Sequence, residues 1–259
     1  MPSSLVSGVD ALPVDAATFL ILFARVGAVL MLLPAFSEDA VPSRLRLVMA
    51  LGFSLGLYGL LSPKTAPAAH AEGALPVIIV AEMLVGIAMG MIVRMLFSAA
   101  AIAGSIASMQ IGLASALVSD PALGGQSPLL ARLIGLAAVI VCMSLGVHHL
   151  WIASIVNSYM LFPVGGMPPA QDFAMLAVRV LGEATSLGIS LAAPLIIYGA
   201  IFNLGLGLAA RVAPAIQVFF ITQPLNLLLG LSLLAMVLGA MLNGFAAAMA
   251  QFMQNGWSF

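Results

Sequence analysis

Charge is what this chain has least of. Of 259 residues, 7% are Asp, Glu, Lys or Arg, and Lys64 is the single lysine. A soluble domain carries about 25% charged residues. A water-facing surface cannot be assembled from so few. The chain therefore needs bilayer hydrocarbon or apolar partner subunits as its solvent. The net charge is −1 and no cluster of Lys or Arg exists to follow a phosphate backbone, so nucleic acid is excluded as a partner. The one cysteine, Cys142, stands in an apolar run. It has no internal disulfide partner, and a packing role is expected for it. Residues 1–15 hold Asp10 and Asp15 but no Lys or Arg. They do not read as a cleavable signal peptide, so the first apolar run is expected to remain in the protein.

Catalytic constellations are missing too. Gly52-Phe53-Ser54-Leu55-Gly56 matches a nucleophile-elbow pattern. That elbow needs a strand before a strained turn, and here the pattern sits inside an apolar helical run. His148 and His149 are adjacent, so on a helix they point about 100° apart and cannot share a metal as an i, i+4 pair does. No Gly-rich loop ends in Lys. No catalytic, cofactor-binding or metal-ligating residue is nominated, no cofactor is expected, and an intramembrane enzyme is poorly supported.

What is present is apolar sequence in long runs. Hydrophobic residues make up 63% of the chain, and the mean hydropathy is +1.21. Six runs can be drawn, at residues 16–36, 45–61, 75–118, 129–162, 173–210 and 216–252. The breaks carry Pro34, Pro42 and Ser43; then Pro63, Pro67 and Gly73; then Asp120-Pro121, Gly124-Gly125 and Pro128; then Pro163, Gly165-Gly166 and Pro168-Pro169; then Arg211 with Pro214. No run alternates with period 2, and all are rich in Leu, Ala and Met, so they read as helices. A membrane barrel would need short alternating segments. The expected fold is an all-α membrane protein of long, partly bent apolar helices and helical hairpins. About 20 helical residues cross a bilayer core. The run 45–61 is short for that. The run 75–118, as one straight helix, would reach roughly 65 Å, so it either folds back or rises out of the membrane plane.

Arg25, Glu82, Arg94 and Glu183 interrupt apolar runs. A charge at mid-bilayer costs about 2.5–3.5 kcal/mol on insertion scales, so each should face protein, a partner charge or water. Arg179 and Glu183 lie one helical turn apart and could pair locally. These charges read either as an ion or proton path or as buried pairs that lock helices together. No run shows a relay of spaced carboxylates. Small residues fall in rows as well. Glu82, Gly86 and Gly90 are spaced four apart, as are Gly199, Asn203 and Gly207, with Arg211 one turn further; Gly52 and Gly56 repeat the spacing. Such rows let helix backbones approach closely, at a subunit interface or within the chain. Met83, Met89, Met91, Met95 and Met109 share one run and could form an adaptable surface.

The segment 110–128 stands apart. It joins two long runs, yet its one charge is Asp120. Gly112, Ala114, Ser115, Ala116, Ser119, Ala122, Gly124, Gly125 and Ser127 make it a stretch of small residues. Asp120 before Pro121 is held out of the helical region, which predicts the end of the preceding helix there. A water-exposed loop of this length would normally carry more charge. This one reads as buried in protein or lining a pore.

The order of short motifs resembles the FliR family of flagellar export proteins, and with it the SctT-type subunits of virulence type III secretion. The likeness runs from about residue 18 to residue 252. It rests on Phe23-Ala24-Arg25, Pro34-Ala35-Phe36, Val41-Pro42-Ser43-Arg44 and Glu82-Met83-Leu84-Val85-Gly86. Ala103-Gly104, Gln110-Ile111-Gly112-Leu113, Asp120-Pro121 and Ser127-Pro128 follow. Then come Gly146-Val147-His148-His149, Ser158, Pro163 and Gly165. The last block is Arg211-Val212-Ala213-Pro214, Val218-Phe219, Pro224 and Gly230-Leu231. After Pro214 the family pattern has Gln and, two residues on, Asn; here Ala215 and Gln217 stand in those places.

The resemblance implies a non-enzymatic role as a structural and gating subunit of the export gate. FliP-like and FliQ-like subunits would be partners in the bacterial inner membrane, within the flagellar basal body. FlhB and FlhA would lie nearby, and unfolded flagellar proteins would pass through. It implies a FliP-like part at about 1–172 and a FliQ-like hairpin at about 173–259, much of the assembly standing above the bilayer plane. The segment with Gln110, Gly112, Ala114, Asp120, Pro121, Gly124 and Gly125 would be a plug that closes the channel. Arg25, Glu82, Gly86, Gly90, Asn203, Arg211 and Pro214 would serve as buried charge or packing positions. The alternatives are a secondary transporter of a small solute or the equivalent virulence subunit. A transporter often shows two similar halves, and no clear internal repeat is visible here.

Overall fold

The computed structural model describes residues 3–37, 41–70, 74–113, 117–120, 125–166, 169–212 and 218–255. They form seven helices and one short ribbon: α1 (Ser3–Leu32), α2 (Ser43–Ala69), α3 (Leu75–Ile111), β1 (Leu117–Asp120), β2 (Gly125–Pro128), α4 (Leu129–Ser144), α5 (Val147–Leu161), α6 (Ala170–Val212) and α7 (Val218–Gln254). Five helices are long and apolar enough to cross a membrane, six spans if the bent pair α4–α5 counts as one. The all-helical membrane reading of the sequence therefore stands.

Hydropathy marks which part of a helix meets an apolar surrounding, not where the helix ends. So α1 begins at Ser3, well before the apolar run at 16, and its span covers Val14–Leu32. The run 45–61 was expected to stop at Pro63, but α2 continues through Pro63 and Pro67 to Ala69. An interior proline costs a backbone hydrogen bond and a carbonyl clash. Here both prolines lie on the exposed side. The opposite face, Leu61, Thr65 and Ala69, stays buried at one-turn spacing. Thr65 Oγ1 also donates to the Leu61 carbonyl at 3.2 Å. Packing of that face carries the helix past the prolines, and α2 becomes long enough to span.

The run 129–162 is bent rather than straight. α4 and α5 meet at 76° across Leu145 and Gly146. Gly146 has φ +76, and its N–H still reaches the Met143 carbonyl at 3.2 Å. α5 ends at Leu161, just before the expected break at 163–169, and α6 is described as far as Val212, the residues of the break after Arg211 lying outside the described ones.

Two compact units are built from interleaved chain. One comprises Met1–Arg94 with His149–Val178, the other Met95–His148 with Arg179–Phe259. In the first, α1 packs along α2. Ala17, Ile21 and Ala69 form a core against which Val14, Ala68, Leu75, Ile78, Ile79 and Val164 close. In the second, α4 packs on α7. Phe97 meets Phe245 edge-on with centroids 5.0 Å apart, and Cys142 is a buried free thiol.

Candidate functional site

In the first unit, two charges predicted to need partners find each other. Arg25 on α1 and Glu82 on α3 are both 0% exposed. Arg25 Nε donates to Glu82 Oε2 at 2.7 Å and Nη2 to Oε1 at 2.9 Å, a two-pronged pairing that is strong because the guanidinium fork matches a carboxylate. The remaining valences are also used. Nη1 donates to Ser158 Oγ at 3.1 Å, and Nη2 donates to the Phe162 carbonyl at 3.0 Å. Glu82 Oε1 accepts a third bond, from the Gly165 backbone N–H at 3.1 Å. The Tyr159 ring lies 3.9 Å from Arg25 Cζ, giving a cation–π contact where water is excluded.

Close helix approach makes this geometry possible. Gly86 and Gly90 follow Glu82 at one-turn intervals on the same face of α3. A Cβ at Gly86 would sit 2.5 Å from the Arg25 carbonyl oxygen, and one at Gly90 would sit 2.6 Å from Leu32 Cβ. Any side chain there would push α1 away and stretch the ion pair. This row is therefore used inside the chain. With the carboxylate and guanidinium both engaged, the site fits a lock joining α1, α3, the end of α5 and the turn after it. It does not have the spaced, half-open groups of an ion path.

Other charged positions are arranged differently. Arg179 and Glu183 are exposed on α6 and, among the described residues, form no ion pair with each other. Arg94 is half-buried and partnered. Asn203 and Arg211 are exposed on α6, while Gly207 faces open space. Gly199, the first member of that row, is buried against the Gln110 side chain. A Cβ at Gly52 or Gly56 would meet nothing within 4 Å, and both border a groove of about 450 Å³ with Met49, Phe53 and Leu57. Met83, Met91 and Met109 are exposed, whereas Met89 is buried.

In the second unit, the segment 110–128 begins earlier and more sharply than the sequence reading held. α3 stops at Ile111, not at Asp120. Gly112 has φ +87. Its N–H bonds the Met109 carbonyl at 3.3 Å, and the Leu113 N–H bonds the Ser108 carbonyl at 2.8 Å. This is a Schellman ending, in which a left-handed glycine turns the chain and satisfies late carbonyls. The Gln110 carbonyl is taken up by Asn226 Nδ2 at 3.3 Å. Beyond it, β1 and β2 pair antiparallel, with Leu117 opposite Pro128 and Asp120 opposite Gly125. What read as a loop thus holds a two-stranded ribbon with four residues in each strand. Ala114, Pro121, Gly124 and Pro214 lie outside the described residues, as do Ala215 and Gln217.

Sequence reasoning missed Tyr159, Asn226 and Tyr198. Each is a neutral polar residue inside an apolar run, and the requirement applied to charges, that a polar group in such a run must have a partner, would have flagged them.

The chain matches the family model for bacterial export proteins, family 1, over residues 16–252. It is 39% identical over 218 residues to the flagellar biosynthetic protein FliR of Caulobacter vibrioides, covering 84% of this chain and 87% of that one. Identity to FliR of Escherichia coli is 34% over 213 residues, 82% of this chain and 80% of the relative. For FliR of Bacillus subtilis it is 29% over 212 residues, 81% of each. With its motif order, its helical spans and its match over nearly its whole length, the chain belongs to the FliR family of bacterial export proteins.

Proposed function

We propose that this chain is a structural and gating subunit of the type III protein-export channel of the bacterial flagellum. The observation that carries this is family membership along almost the entire chain, with relatives whose names are flagellar. That favours the flagellar role over a virulence system and over a solute transporter. The family is one of export proteins, and no catalytic role is proposed for this chain.

Partners follow the resemblance. FliP-like and FliQ-like membrane subunits join it in the inner membrane within the basal body, FlhB and FlhA lie nearby, and unfolded flagellar proteins are the cargo. Residues 1–172 take the FliP-like role and 173–259 the FliQ-like hairpin. The exposed apolar surface of α2, with Leu45, Val48, Leu55 and Leu60 outward, fits a chain that needs lipid or neighbours around it.

The segment 110–128 is the plug. Among the described residues its ribbon has two strands, so each strand keeps an outer edge of backbone groups without a neighbouring strand. Hydrocarbon cannot hold such edges, whereas protein or a water-filled pore can. The test of the whole reading is purification in mild detergent from cells that make the neighbouring subunits. The chain should emerge bound to FliP-like and FliQ-like proteins. A thermally stable, monodisperse monomer with no affinity for them would sink the proposal.

A further inference from the structure

The end of α3 is gripped from two sides. An α-helix leaves its last four carbonyls without intrahelical partners. At α3 the Schellman turn takes two of them, those of Ser108 and Met109. The next, at Gln110, receives a bond from a side chain 116 residues away, Asn226 on α7. Asn226 is 9% exposed and has its own partner on α6. Tyr198 donates its hydroxyl to Asn226 Oδ1 at 2.8 Å, with the Asn226 carbonyl also within 3.0 Å. The amide orientation is set by this chain, because the Gln110 carbonyl can only accept and the Asn226 nitrogen must face it.

Small residues bring the three helices together at the same level. A Cβ on Gly199, next to Tyr198, would collide with the Gln110 side chain. A Cβ on Gly230, one turn after Asn226, would sit 2.7 Å from Ile111 Cγ1. Gly112 completes the arrangement, since a Cβ there would stand 3.1 Å from Gln223 Oε1 and 3.4 Å from Asn226 Nδ2. Polar bonds and close packing both converge on the final turn of α3, directly before the chain leaves the helix at Gly112.

We propose that Tyr198 and Asn226 are positioning residues for the gate. They form a polar clasp that fixes the last turn of α3, from which the proposed plug segment continues. This rests on reading 110–128 as the plug. The clasp is made of neutral groups, and in an apolar interior such bonds are strong when satisfied and costly when orphaned. A leucine at 226 keeps roughly the volume of asparagine but orphans the Gln110 carbonyl and the Tyr198 hydroxyl, so the last turn of α3 loses its polar hold and keeps its packing.

The experiment uses the assembled complex in cells, with three variants: Asn226→Leu, Tyr198→Phe and removal of residues 114–125. Two quantities are read together, the amount of co-purified complex and the leak of sodium ions and a small membrane-impermeant dye across the inner membrane. Asn226→Leu should keep the complex assembled while the leak rises severalfold. Tyr198→Phe, lacking one hydroxyl, should leak less but in the same direction. The deletion should leak most. If Asn226→Leu does not assemble, Tyr198→Phe decides. Assembled, tight complexes from the clasp variants beside a leaky deletion overturn the clasp and leave the plug standing. A tight, assembled deletion overturns the plug and the clasp with it.

Discussion

At Arg25 two full charges meet at 2.7 Å in a site closed to solvent, whereas at the end of α3 only neutral groups meet, the weakest link being 3.3 Å. The two regions face the same problem, polar groups in an apolar chain, with different strengths of bond. Removing one partner of a buried ion pair costs about 3–5 kcal/mol, because the other charge is stranded. A neutral hydrogen bond contributes about 0.5–1.5 kcal/mol. The first region is built to stay shut. The second is held by neutral bonds that cost less to break.

The contrast can be broken most severely at the lock. Arg25→Leu or Glu82→Leu should each destabilise the first unit by about 3–5 kcal/mol and remove most assembled complex, measured as the yield of co-purified subunits. Replacing both by Leu should recover part of that yield, since no charge is left stranded. Normal assembly and export from Arg25→Leu would show that the pair is not structural.

A smaller effect is expected at the helix stop. Gly112→Ala puts a side chain at φ +87, which costs about 1–2 kcal/mol, and crowds Gln223. Most complex should survive, as judged by yield, while membrane leak increases. An outcome in which Gly112→Ala abolishes assembly and leaves no leak to measure would erase the distinction between the two regions.

Some of this was legible from composition and spacing. Arg25 and Glu82 stood out because a charge in an apolar run has to be matched, and Glu82-Gly86-Gly90 announced a close helix contact. Which helix made that contact was not legible, since spacing along one helix does not name its neighbour. The row Gly199-Asn203-Gly207-Arg211 looked equivalent, but only Gly199 is buried. The same four-residue spacing arises on a lipid- or partner-facing surface. Pro63 and Pro67 read as a stop because local propensity was weighed without the buried stripe on the opposite face of α2. The bend at Gly146 was hidden inside one apolar run. The end of α3 was assigned to Asp120-Pro121, a strong local signal, while the true stop at Gly112 depends on carbonyl satisfaction that a single glycine does not advertise. Tyr198 and Asn226 went unnoticed because neutral polar residues carry no charge to count.

The gate is tested most directly by removing residues 114–125 and measuring inner-membrane permeability, with assembly checked in the same cells. The account predicts a complex that forms in near-normal amount but leaks small ions and solutes. A complex that forms and remains tight without the segment would contradict it.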